Sequence, residues 1–212
     1  MFKGLKSSEE KILKRLDSPA KIQDYLNSLP FNFEPNGDVC RSPRLVMRTK
    51  TAHCIEGAMF AAAALAYHGE KPLLMDLSAA RKDFDHVVAL FRKNGKWGAI
   101  SKTNHAVLRY REPIYRTLRE LALSYFHEYF TDDGTKNLRS YSAPLNLNIF
   151  SKKKWVTDEN DIWYVAEKLC DIRHFPIADK KSIRTFRPAD DVEIRAGKVV
   201  EWKKNSRKKF PS

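Results

Sequence analysis

The stretch His53-Cys54-Ile55-Glu56-Gly57-Ala58-Met59-Phe60, running on through Ala61-Ala62-Ala63-Ala64 to His68-Gly69, decides how the chain is read. Its run of small residues predicts a helix over about 53–68 that packs closely on all sides, and so lies in the middle of a domain. Gly69 is a natural C-cap. Cys54 falls in the first turn, where unpaired backbone N–H groups and the helix dipole favour an anion.

Downstream, Pro72-Leu73-Leu74-Met75-Asp76-Leu77 is a short apolar strand, followed by a polar loop. Asp85-His86-Val87-Val88-Ala89-Leu90-Phe91 is a second strand opened by a histidine, and Trp97-Gly98-Ala99-Ile100-Ser101 is a third. Lys93-Asn94-Gly95-Lys96 between them favours a two-residue type I′ turn. That turn pairs residues whose numbers sum to 189, so Ser101 faces Val88 and Thr103 faces His86 on one side of the ribbon.

Upstream, Ser8-Glu9-Glu10-Lys11 before Ile12, Leu13 and Leu16 predicts a capped amphipathic helix. Ser18-Pro19 caps another, with Ile22, Tyr25 and Leu26 at helical spacing, ended by Pro30. Residues 31–50, with Pro35-Asn36-Gly37 and Ser42-Pro43, read as an irregular, turn-rich approach. After the break at Arg109–Pro113, an aromatic helix is expected from about Ile114 to Phe130, stopped by Asp132-Asp133-Gly134. Residues 135–155 read as irregular, a last helix lies near 159–171, and Ser182 to Trp202 reads as extended chain with Val192-Glu193-Ile194 alternation.

No repeat, low-complexity segment or linker divides the 212 residues, which form one α+β domain: an antiparallel sheet packed on the central helix, with further helices towards the C-terminus. Its core spans about 20–105, a cover 106–202 and a basic tail 203–212. With 42% hydrophobic and 31% charged residues, the composition excludes a disordered chain. No run reaches the roughly 18–20 apolar residues of a membrane span. The N-terminus lacks a signal-peptide core, so a cytoplasmic location is expected. Cys40, Cys54 and Cys170 form neither a CxxC pair nor a disulfide framework. No Cys/His pair stands at zinc-ligand spacing, and no cofactor or metal is expected.

The net charge of +13 is diffuse, densest in Lys203-Lys204-Asn205-Ser206-Arg207-Lys208-Lys209. Nucleic-acid association through that tail is one functional class, but no RNP, KH, phosphate-loop or zinc-finger pattern accompanies it, and a solvated tail is the preferred reading.

The chemistry lies elsewhere. A thiol attacks as thiolate, and a helix N-terminus lowers its pKa. A histidine within reach lowers it further and protonates the leaving group. A third polar residue holds the imidazole in one orientation, and the Cys54 N–H is a candidate oxyanion donor. Cys54 and His86 are therefore the candidate nucleophile and base, with His105 a fallback base. His53 is expected at the entrance, because adjacent helix residues point apart. Asp83 and Asp85 read as solvated charges at the strand mouth, and Glu56 as a first-turn acid that complements the helix dipole.

This ordered set, Cys54 opening an alanine-rich helix ending in Gly69, the strand Leu73–Leu77, then His86-Val87-Val88 and Trp97…Ser101, resembles the transglutaminase-like superfamily over roughly residues 25–105. The resemblance implies a papain-like cysteine-protease fold with Cys, His and Asp in that order. In the family the third member stands four residues after an aromatic such as Trp97, as an aspartate before Pro-Thr; here Ser101-Lys102-Thr103 fills that place. Asn104 could supply an orienting amide instead, as asparagine does in papain-like enzymes. The implied activity is hydrolysis or acyl transfer at an amide of a peptide, protein or small molecule, without a cofactor. The competing reading is a catalytically silent binding or scaffolding module, which the absent aspartate favours.

Overall fold

A computed structural model describes residues 1–80 and 83–204. Four helices come first: α1 (Ser7–Arg15), α2 (Pro19–Ser28), α3 (Pro43–Thr49) and α4 (Cys54–Tyr67). Helices α2 and α3 start alike. Ser18 and Ser42 accept from the N–H groups of Lys21 and Leu45, and Pro19 and Pro43 take the first helical position, where no N–H is missed. The Ser42-Pro43 pair thus opens a helix inside the segment expected to be irregular.

Strands β1 (Leu73–Ala79), β2 (His86–Lys93), β3 (Lys96–Ser101), β4 (Arg111–Tyr115), β5 (Leu138–Ser142), β6 (Leu145–Asn146) and β7 (His174–Pro176) form one seven-stranded sheet. Its order is β4-β3-β2-β1-β5-β7, with β6 also on β1, and every pairing is antiparallel. The fold is α+β. The β2–β3 hairpin turns at Asn94-Gly95, both at positive φ, and Val88 faces Ser101 as the turn type requires.

Strand β2 is buried on both faces, so its apolar run is continuous. Val87, Ala89 and Phe91 pack with Ile100 against α4, whose Ala58 to Leu65 are all buried. Val88 and Leu90 point the other way, with Met75, Leu77 and Ala99, onto Leu121, Ala122, Tyr125 and Tyr129. A helix this enclosed tolerates no added bulk; an extra methylene in such a core costs about 1–3 kcal/mol.

The second half of the chain departs from expectation. The aromatic helix expected over about 114–130 is instead strand β4, then α5 (Leu118–Leu123) capped by Thr117, then a 3-10 turn at Phe126–Glu128. Arg111 to Tyr115 pairs with the free edge of β3, where Pro113 is tolerated. Residues 135–155 contain β5, β6 and a 3-10 helix at Leu147–Lys153 rather than irregular chain. Helix α6 (Trp163–Asp171) lies within the expected span. The stretch expected to be extended carries α7 (Lys180–Ile183) and α8 (Asp191–Gly197). Asp190 accepts from the N–H groups of Val192 and Glu193 while Glu193 accepts from that of Asp190, a capping box that overrides the local alternation. Most of the basic tail lies outside the described residues. Among the described residues no helix is long and apolar enough to cross a membrane.

Candidate active site

Helix α4 and strand β2 bring their first residues together at one end of the sheet. The Cys54 sulfur, half-buried in the first turn, lies 4.0 Å from the carbonyl oxygen of Asp85, the residue before His86. The loop that delivers His86 is pinned: the Ala79 N–H donates to Asp85 Oδ1 at 2.8 Å, and the Tyr129 hydroxyl donates to the Phe84 carbonyl at 2.5 Å. Asp85 is thus spent on backbone, and Asp83 accepts from the Asn137 amide at 3.0 Å. The side chain of Phe84 stands 90% exposed at the mouth.

His86 is buried, and its Nε2 lies 2.8 Å from the Ser101 hydroxyl oxygen. That hydroxyl donates to the Leu108 carbonyl at 2.5 Å, so it accepts from Nε2–H, and Nδ1 is the ring nitrogen left to exchange a proton. Leu108 has φ +59°, a left-handed conformation that costs a non-glycine residue about 1–3 kcal/mol. The Glu128 carboxylate holds that turn by accepting from the Leu108 N–H at 2.8 Å.

Asn104 is turned elsewhere. Its Nδ2 donates to the Trp202 carbonyl at 2.9 Å, and its Oδ1 accepts from the Trp202 N–H at 2.8 Å. This pairing turns the amide towards Trp202, so of the two expected third residues it is Ser101 that meets His86. His105 donates through Nδ1–H to the Gly197 carbonyl at 2.8 Å, a wall contact.

His53 is more than an entrance residue. As N-cap of α4 its ring is 13% exposed, with Nε2 3.0 Å from the Val39 carbonyl, 3.4 Å from Glu34 Oε1 and 3.7 Å from Glu56 Oε2. Glu56, wholly buried, accepts from the His53 N–H at 3.0 Å, the Asn32 amide at 3.1 Å and the Arg41 N–H at 3.2 Å. Its function exceeds dipole complement: it fastens the 32–41 loop to the helix start.

Burial alone would raise the Cys54 pKa, but hydrogen bonds and positive charge from His53 and His86 outweigh it and pull the thiol down to about 5. Burial likewise opposes a charged His53, yet Cys54, Glu56 and the Val39 carbonyl carry it up to about 9. Cys40 goes the other way, pushed up to about 12 by burial and nearby carboxylates, and is inert as a nucleophile.

The thiol opens onto a cleft of about 510 Å³ whose lining includes Phe31, His53, Phe84, Tyr129, Ile194 and Gly197. Lys102, beside Ser101, is buried with its ammonium donating to the Leu26 and Leu29 carbonyls at 2.8 and 2.5 Å, at the C-terminal end of α2. Burial lowers its pKa to about 8. Among the described residues no cluster of three or more His, Cys, Asp or Glu is placed to hold a metal. The chain matches no protein-family model, and no curated protein matches it significantly.

Proposed function

We propose that this protein is a thiol-dependent hydrolase or acyltransferase of transglutaminase-like type, acting on an amide in a peptide, protein or small molecule through Cys54 and His86, with Ser101 as the positioning residue. The observation that carries the reading is the half-buried thiol in the first turn of α4, beside two imidazoles and open to a cleft.

In the first half-reaction the Cys54 thiolate attacks the substrate carbonyl carbon and the C=O pair moves onto oxygen. The Cys54 N–H, in the first turn of α4 where the helix offers it no partner, is the donor assigned to that charge. The intermediate collapses, the C–N bond breaks, and the protonated His86 gives its proton to the departing amine. Water or a second amine then loses a proton to His86 as it attacks the thioester, and Cys54 leaves as thiolate. Ser101 keeps His86 in one tautomer throughout, as a neutral partner rather than a carboxylate.

An activated acyl donor tests this without knowledge of the natural substrate. With p-nitrophenyl acetate, a burst of nitrophenolate equal to the protein present should accompany an acetyl group mapped to Cys54. The burst should vanish in Cys54→Ala and slow by at least about a hundredfold in His86→Ala. An unmodified Cys54 would leave a binding module on the same fold.

A further inference from the structure

His53, the residue before Cys54, and His86, the residue after the carbonyl that lies 4.0 Å from its sulfur, line the same cleft as the thiol, and a dyad needs only one imidazole. The surroundings of the two rings differ. His86 meets a neutral hydroxyl, Ser101, at 2.8 Å. His53 meets a carbonyl and two carboxylates, at 3.0 Å from Val39 O, 3.4 Å from Glu34 and 3.7 Å from Glu56. The three groups around its Nε2 are all acceptors and two are carboxylates, so this surrounding favours an imidazolium over a neutral ring.

We propose that His53 is the standing counter-ion of the Cys54 thiolate, which leaves His86 free to gain and lose its proton during acyl transfer. The proposal rests on the acyl-transfer reading of the site. It assigns the two tasks that a single histidine usually combines, charge partner and proton carrier, to two residues on different elements. It also accounts for the neutral third member. A carboxylate behind the base serves chiefly to stabilise the imidazolium that balances the thiolate. Here Glu34 and Glu56 do that for His53, so Ser101 has only to orient His86.

The charged and titratable groups facing the pair come from each packed element: Glu34, Cys40 and Arg41 from the loop before α3, Glu56 from α4, Asp85 just before β2, His86 at its start, and Tyr129 after the 3-10 turn. Arg41 lies 3.8 Å from Glu56 Oε1, while Oε2, which accepts from the Asn32 amide, lies 3.7 Å from His53 Nε2.

The test is the pH dependence of Cys54 alkylation by iodoacetamide, mass-mapped to the Cys54 peptide, in wild type, His53→Gln and His86→Gln. In wild type the rate should persist well below the free-thiol midpoint of about 8.5. His53→Gln should raise the midpoint by a unit or more and slow alkylation at pH 6 at least about tenfold, more than His86→Gln does. An unchanged midpoint in His53→Gln, or a larger shift in His86→Gln, overturns the proposal and returns both tasks to His86. An ordinary midpoint in wild type defeats the active-site reading itself. Should His53→Gln fail to fold, the reciprocal measurement decides. The His53 ring, followed by NMR, should titrate at least one unit lower in Cys54→Ser than in wild type, because coupling between two sites is mutual; an equal titration overturns the proposal.

Discussion

His86 Nε2 and the Ser101 hydroxyl oxygen lie 2.8 Å apart, and the same hydroxyl donates its own hydrogen bond to the carbonyl of Leu108. Both residues are buried, so neither bond has water as a substitute. Ser101→Ala should therefore strand an imidazole N–H and cost about 1–3 kcal/mol, seen as a lower urea midpoint at constant slope. The nitrophenyl ester burst should slow in the same variant, because the ring is no longer held.

The coupled thiol and imidazole give stability a pH signature. Cys54 is depressed to about 5, so its share of stability is complete above the free-thiol range and is lost as the pH falls through that value. His53 is raised to about 9 from 6.5, so its share is complete below 6.5 and is lost as the pH rises through about 9. The pair is ionised between the two values. The stability difference between wild type and Cys54→Ser should therefore be greatest from about 6.5 to 9 and shrink beyond either end of the wider window. Thermal melts over that range check it.

Gly57 is required by contact rather than by backbone angle. A Cβ there would stand 2.4 Å from Cβ of Lys102 and 3.0 Å from its Cγ. Lys102 cannot swing away without leaving the Leu26 and Leu29 carbonyls. Gly57→Ala should lose about 1–3 kcal/mol, a fall of several degrees in melting temperature. Its disturbance should also reach the adjacent Ser101, visible as slower ester turnover.

Asn104 separates a structural amide from a catalytic one. Asn104→Ala removes both hydrogen bonds to Trp202. The expected result is faster proteolytic cleavage and faster amide exchange in residues 191–204, with the Cys54 alkylation midpoint unchanged. A midpoint shift equal to that of His86→Ala would place Asn104 in the catalytic machinery instead.

The parts of this fold that sequence reveals are those where one local signal is undisputed. The alanine run from Ala61 has no other use than a buried helix, and Asn94-Gly95 fixes a hairpin whose register follows by arithmetic. The hidden parts are those where tertiary context chooses. Val192-Glu193-Ile194 alternates like a strand, yet the Asp190–Glu193 capping box makes it helical. Leu118 to Tyr129 carries helical spacing, but the vacant edge of β3 takes Arg111 to Tyr115 first and leaves only one short helix after Thr117.

At the site, the positions of Cys54 and His86 could be read because each sits at the start of an element. The partner of His86 could not, since Ser101 and Asn104 are three residues apart and only the turn at Leu108 sends one inward and the other towards Trp202. Sequence places His53 only at the entrance for a simple reason. The rule that neighbouring helix residues diverge fails at an N-cap, whose backbone is still extended.

The cleft also has an order of completion. Its thiol, both imidazoles and Ser101 all lie before residue 102. The 104–108 loop that follows is tied down by residues almost a hundred positions later, through Val199 to Ala106, Asn104 to Glu201, and Asn104 to Trp202. A chain emerging from the ribosome therefore presents Cys54 and His86 long before it can fasten the loop whose Leu108 carbonyl accepts the Ser101 hydrogen bond.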